Sequence, residues 1–269
     1  MTRHRLAALL VGAAILAACA TAPTGRSQLL LFSDSQMNQL GATSFDRLKS
    51  EGKLATDPRR EAYVRCVVGA LTAQLPEPWR TTPWEVRVFT DATANAFALP
   101  GGKVGVNTGM FAVAKNQDQL AAVLGHEIGH VVFRHSNERA STSTLADTGL
   151  NMVNAYVGAK ASAQTSNLVM SALGLGAQVG VLLPFSRKHE SEADAYGQQL
   201  MAKAGFDPAA AVALWRNMDS ASKGQRPPQW LSTHPDPSNR IARLEQAEPA
   251  LQPSFRAASA QGLRPNCGG

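Results

Sequence analysis

The stretch "GHEIGH", residues 125–130, sets His126 and His130 four positions apart with Glu127 beside the first. On a helix that spacing projects both imidazoles from one face, so they can ligate one ion, and Glu127, about 100° round, reaches a water on that ion. Two imidazoles leave a divalent zinc short of ligands. A carboxylate from a second helix is a good third, and "HESEAD", residues 189–194, concentrates acids in a chain whose formal net charge is +6. Glu190 and Asp194 are again four apart, where like charges on one helix face repel by a few tenths of a kcal/mol unless something positive draws them together. Glu190 reads as the third zinc ligand. Asp194, one turn on, reads as the acceptor of the free ring N–H of a zinc-bound histidine, which fixes that ring's tautomer. Glu192 points elsewhere on this helix and reads as a solvated charge, and His189 is left unassigned. His135, about 140° round from His130, is read as unable to share the site.

Three protein ligands leave a fourth position for solvent or substrate, which is the arrangement of a catalytic zinc. The reaction such a site suits is amide hydrolysis, with Glu127 as the general base that hands its proton to the leaving amine. His234 and Arg240, in "STHPDPSNR", are candidate donors to the oxyanion that forms. On these residues alone, a solvent-facing loop histidine and an ordinary helix arginine remain open readings. Gly129, between the two imidazoles, is either tolerated there or lets another backbone come close.

The elements that must position these groups follow from the pattern. A helix is expected from Ser33 or Asp34, and a second over "DPRREAYVRCVVGALTAQL", with Tyr63, Val67 and Leu71 at four-residue spacing. "WEVRVFTD", residues 84–91, suits a strand, and "NAFALPGGKVGVNTGMF" suits two short arms around Pro100-Gly101-Gly102. Asn116 caps the helix that carries His126 and His130. Further helices are expected over 186–204, from Asp207 and from Asp236, the last two each opening on Asp-Pro. Residues 136–165 read as a helix with connections, and Leu168–Leu183 as a buried helix, being short of the roughly 20 apolar residues of a membrane span. The rival reading of that segment is a lid that touches a membrane.

Arg3 and Arg5 precede an apolar run from Leu6 to Ala18, too short for a span, so residues 1–18 read as an export signal. Ala20-Thr21-Ala22 suits ordinary cleavage. Leu16-Ala17-Ala18-Cys19 suits a lipobox better, because the cysteine sits where the apolar run ends; Cys19 would then carry acyl chains that anchor the protein to a membrane. Residues 19–32 are expected as a tether, 33–249 as the folded domain and 250–269 as a loose tail. Losing the signal removes two arginines and no acid, so the balance stays mildly basic, and no lysine/arginine run interleaved with aromatics supports a nucleic-acid partner. Cys66 and Cys267 either pair, in an oxidising compartment, or Cys66 stays a buried thiol.

"NAFALPGGKVGVNTG", "HEIGH", "SRKHESEAD" and "THPDPSNRI", in that order, closely resemble the gluzincin metallopeptidases of family forty-eight, most of all their periplasmic lipoprotein members. The resemblance runs from about Gln28 to Leu244. It implies an α+β, mostly helical fold with a small β-sheet on the rim of the active-site cleft, and one Zn²⁺ per chain held by His126, His130 and Glu190. It also implies Glu127 as base and Asp194 behind the ligands. His234 and Arg240 gain weight from it, because relatives use the matching loop at the metal, either to steady the intermediate or to fill the open position at rest. Asn95, Ala96, Phe97, Gly101, Gly102 and Val104 are then expected on the rim, where an extended substrate adds as a strand. The function implied is cleavage of unfolded or misassembled envelope proteins, on the periplasmic side of an outer membrane and near its assembly machinery. A chaperone or assembly factor that binds chains in the same cleft and seldom cuts is the rival, and a structural zinc protein the third reading.

Overall fold

The computed structural model describes residues 19–145, 185–222, 233–234 and 239–268. Leu168–Leu183 falls outside them, as does the part of 136–165 beyond Leu145. In chain order come β1 (Cys19–Thr21), β2 (Ser27–Leu29), α1 (Asp34–Glu51), α2 (Pro58–Thr72), β3 (Glu85–Phe89), β4 (Ala96–Leu99), β5 (Lys103–Asn107), α3 (Gln117–Val132), α4 (Arg187–Ala204), α5 (Ala210–Ser222) and α6 (Arg240–Ala260). Residues 135–145 are also helical. The architecture is α+β and mostly helical.

Local chemistry sets the boundaries. Ser33 and Gln36 close a reciprocal capping box at the start of α1, and Asp57 caps α2 with Pro58 in its first turn. The Asn116 side chain accepts from the Gln119 N–H to open α3, Ser186 does the same for α4 through His189, and Gly205, at φ 83°, ends α4 in the left-handed conformation that glycine adopts without strain.

Strand β5 lies in the middle of a three-stranded sheet, parallel to β3 and antiparallel to β4. Alternation along the strands divides the side chains. Val86, Val88, Ala96, Ala98, Val104 and Val106 enter the main core with α2 and α3. Phe89, Phe97 and Leu99 pack instead on Met37, Phe45 and Leu48 of α1. The sheet is therefore covered on both faces, and β4, an edge strand, packs against α3. Val104 is a correction to the expected substrate strand: it sits in the central strand, whose backbone is paired on both flanks, so no added chain can reach it. Gly101 and Gly102, at φ 78° and 72°, form the turn between β4 and β5, which any residue with a Cβ would strain.

Two further expectations are overturned. The segment 19–32 is docked, not a free tether: β1 and β2 pair, Ala22 and Gln28 are buried, and Arg26 forms ion pairs with Glu138 and Glu192. Residues 250–269 are not a loose tail either. Helix α6 runs on through Pro249 and Pro253 to Ala260. The residues after it are held by a Cys66–Cys267 disulfide and by Gln117, which donates to the Pro265 carbonyl and accepts from the Cys267 N–H. The two prolines and the small residues had suggested a break; covalent and polar ties from α2 and α3 supply the order instead.

Helices α3 and α4 make the most extensive helix contact, and they do so through glycine. A Cβ on Gly197 would lie 2.7 Å from the His126 backbone N and 2.8 Å from the Gly125 carbonyl carbon, and one on Gly129 would lie 3.2 Å from the Ala193 Cα. Gly129 is thus a close-approach residue. Gly197→Ala is expected to destabilise the protein by about 1–3 kcal/mol through overpacking, more than the roughly 1 kcal/mol that alanine gains over glycine in a helix, because the opposing atoms are backbone and cannot swing away. Urea unfolding of the two proteins measures the difference.

Candidate metal centre

The interlocked pair α3 and α4 carries the chemistry. His126 and His130 leave one face of α3, Glu190 and Asp194 leave the facing side of α4, and His234 comes in from a separate segment; all five are buried. One donor atom from each of His126, His130, Glu190 and His234 lies within 4.8 Å of the others. The Nε2 atoms of His126 and His130 are 3.1 Å apart, and each lies 3.5 Å from a Glu190 carboxylate oxygen. His234 Nδ1 is 3.1 Å from Glu190 Oε1 and 3.3 Å from His126 Nε2.

The tautomers test whether a cation fits. His126 Nδ1 is 2.9 Å from Asp194 Oδ1; an ionised carboxylate only accepts, so the ring proton sits on Nδ1 and Nε2 presents a lone pair. His130 Nδ1 is 2.9 Å from His135 Nδ1. With its proton directed there, His130 also offers a bare Nε2. Two lone pairs and a carboxylate then converge on one point with nothing between them to share, which is the donor set of a bound zinc.

Electrostatics agree with that reading. Burial pushes the Glu190 carboxyl up to about 7 despite His126 and Arg240. Burial, together with neighbouring imidazoles, holds His130 well below the usual histidine range, and burial keeps His126 and His234 low as well. Histidines held neutral are ready to ligate. Burial works against the Asp194 carboxylate, but the His126 hydrogen bond and Arg240 outweigh it and keep it low.

Arg240 is placed differently from expectation. Its Nε donates to Asp194 Oδ2 at 2.7 Å and its Nη2 to Glu190 Oε2, while the guanidinium lies 3.7 Å over the Trp215 ring. At 1% exposure it braces two carboxylates through Nε and Nη2. His234 turns Nδ1 into the ligand cluster, and its Nε2 lies 3.5 Å from Glu127 Oε1. Its ring thus stands between the cluster and the general base.

Sequence reasoning missed the placement of three residues, His135, Glu192 and His189. Helix α3 ends at Val132 and Arg134 takes φ 55°, so the chain turns back and His135 meets His130 instead of facing away. Glu192 is not solvated. It accepts from His135 Nε2 at 3.1 Å and from Arg26 and Thr24. His189 pairs with Glu138 and stacks on His135 at 4.3 Å. The signal that could have found His135 was a polar ring close behind an apolar helix; nothing local marks the left-handed turn.

Burial works to raise the Glu138 carboxyl, but hydrogen bonds from His189, Arg26 and Gln28 outweigh it and bring it down from an ordinary 4.5 to about 2. A carboxylate depressed on folding contributes stability that is fully present above its unfolded value and is lost as pH falls through its folded one. A loss of about 2–3 kcal/mol is therefore expected between pH 4.5 and 2, and Glu138→Gln should flatten that part of a stability–pH curve measured by urea unfolding.

Of the residues expected on the rim, Ala96 and Phe97 lie in β4, the Ala96 side chain buried in the core, and Asn95 just before them accepts from the Asn107 N–H. A cavity of about 150 Å³ joins Met37, Trp79, Gly101 and Gly102 to His130 and Arg134. It links the expected substrate turn to a metal ligand.

Residues 58–248 match the family model described as Peptidase family M48. The chain is 42% identical over 171 residues to the mitochondrial metalloendopeptidase OMA1 of Schizosaccharomyces pombe, covering 63% of this chain and 48% of that protein. It is 34% identical over 239 residues to the mitochondrial metalloendopeptidase OMA1 of Danio rerio, covering 84% and 49%. It is 30% identical over 233 residues to the beta-barrel assembly-enhancing protease of Escherichia coli K12, covering 85% and 47%. The chain spans about half the length of each of these relatives.

Proposed function

Because the chain belongs to peptidase family M48, we propose that it is a zinc endopeptidase that hydrolyses peptide bonds in unfolded or misassembled envelope proteins. The observation that carries this is the convergence of His126, His130 and Glu190 donors beside Glu127. Zinc held there supplies a Lewis acid for a water and a peptide carbonyl. Glu127 removes the water's proton and returns it to the departing amine. Asp194 and Arg240 keep the His126 ring and the Glu190 carboxylate in the orientation that ligation needs.

Substrate class follows from the rim. An edge strand at β4, with Asn95 to Phe97, Gly101 and Gly102 around it, suits an extended chain that adds through its backbone and is read with little selectivity. Such a strand is offered by unfolded protein. Acylation of Cys19 would hold the enzyme to the periplasmic face of a membrane, most simply an outer membrane, and the printed name of the Escherichia coli relative makes barrel-assembly machinery a reasonable neighbour. Among the described residues no helix is long and apolar enough to cross a membrane. Because the Cys19 residue opens β1 on the folded body, the anchor and the cleft would move together.

His234 gives the rival chaperone reading its one specific support, since its ring lies between Glu190 and Glu127. We read it as a resting state that opens. Zinc-loaded protein should cut a denatured substrate and leave the native form of that substrate intact, a chelator should stop it, and His234→Ala should raise the rate. Equal cutting of native and denatured forms would remove the proposed substrate class; no cutting by either wild type or His234→Ala would favour the binder.

A further inference from the structure

We propose that His135 is a positioning residue for the metal centre, the middle of a hydrogen-bonded line that runs from Arg26 in the N-terminal hairpin through Glu192 and His135 to His130. The proposal rests on the reading of the site as a zinc centre and deepens it.

The two histidines of α3 are supported unequally. His126 has a carboxylate directly behind it, Asp194. His130 has none among the described residues; its Nδ1 faces His135 Nδ1 at 2.9 Å, both rings buried. Two imidazole nitrogens in contact need one proton between them. If His130 turns its bare Nε2 to the ion, that proton is on His130 Nδ1 and His135 accepts it. His135 must then carry its own proton on Nε2, and Nε2 lies 3.1 Å from Glu192 Oε2. Glu192 stays an acceptor because Arg26 donates to both of its oxygens, at 3.0 and 2.9 Å, and Thr24 adds another bond at 2.7 Å. Reversing any link breaks the next. The opposite arrangement would put a proton on His130 Nε2, pointing into the ligand cluster.

The backbone is bent to make this contact. Arg134 sits at φ 55°, where a residue with a Cβ is disfavoured by about 1 kcal/mol or more, and it is secured by a 2.7 Å bond to Asp34. That turn returns His135 to His130. His189 then stacks on the far face of His135, and His189 is itself tied to Glu138, which shares Arg26 with Glu192. A phenylalanine would fill the same buried space; it could not accept the His130 proton.

The test uses the full chain and zinc affinity measured by chelator competition, with circular dichroism of the metal-free proteins to confirm folding. His135→Leu is expected to weaken zinc binding about 10–100-fold, the usual effect of removing a partner behind a ligand. His135→Asn, whose Oδ1 can still accept from His130, should recover most of that loss. Glu192→Gln should weaken binding on its own but add nothing to His135→Leu, since the two act in series. A role in packing alone would move Leu and Asn alike and would give additive losses. Zinc affinity of His135→Leu within about twofold of wild type, or additive losses, overturns the proposal. Should His135→Leu not fold, nitrogen NMR of the zinc-loaded wild type decides: protons on His130 Nδ1 and His135 Nε2 are expected, and a proton on His135 Nδ1 overturns it. A wild type that binds no zinc overturns the reading beneath it as well.

Discussion

A chain carrying Glu127→Gln is expected to bind zinc as tightly as the wild type and to lose peptide-bond hydrolysis by about 10²–10⁴-fold, the contribution of a well-placed general base. The amide has the carboxylate's shape, so α3 and its packing are unchanged. It cannot take up a proton. The expected ligands are held through other groups: His126 leans on Asp194, His130 on His135 and Glu190 on Arg240. The two readouts should therefore separate cleanly, kcat falling while metal content stays at one ion per chain. Hydrolysis within about tenfold of wild type would mean that another group moves the proton, and equal loss of metal would mean that Glu127 is structural.

Arg240→Met is expected to lower the stability of the metal-free protein by about 3–5 kcal/mol. Arg240 is 1% exposed and is the cation between two buried carboxylates, Glu190 and Asp194. Methionine keeps much of the volume over Trp215 but leaves two acids facing each other out of reach of water. Arg240→Lys should recover only part of the loss, because one ammonium cannot reproduce the planar fork that spans both acids. Denaturant unfolding of the chelated proteins measures this. A change below about 1 kcal/mol would show that the carboxylates simply take up protons and that the arginine is dispensable.

These two residues also show how far the sequence could be read. Where the periodicity of one helix sufficed, as for His126, Glu127 and His130, the residues themselves carried the site. Glu190 and Asp194 followed from ligand arithmetic and from the oddity of stacked acids. The bracing contacts of Arg240 and the approach of His135 to His130 were hidden for different reasons. Arg240 lies forty-six residues beyond Asp194 in the chain, and no local pattern says which way a helical arginine points. His135 was judged by extending α3 past its end, and an arginine in the left-handed region gives no warning, since glycine or asparagine is the usual occupant. The docking of Arg26 against Glu192 spans 166 residues, a contact that only tertiary packing creates. Two prolines hid the length of α6, and the ties that order its continuation come from helices far upstream.

The glycine seam between α3 and α4 also bears on how an ion arrives. Where Gly125 meets Gly197, main chain touches main chain, so the spacing of the donor-bearing helices is a property of the scaffold and not of whatever occupies the cage. Stripped of its ion, such a protein has little to rebuild. Reloading should follow simple second-order kinetics with no lag, its speed governed by access and by shedding water from the incoming cation.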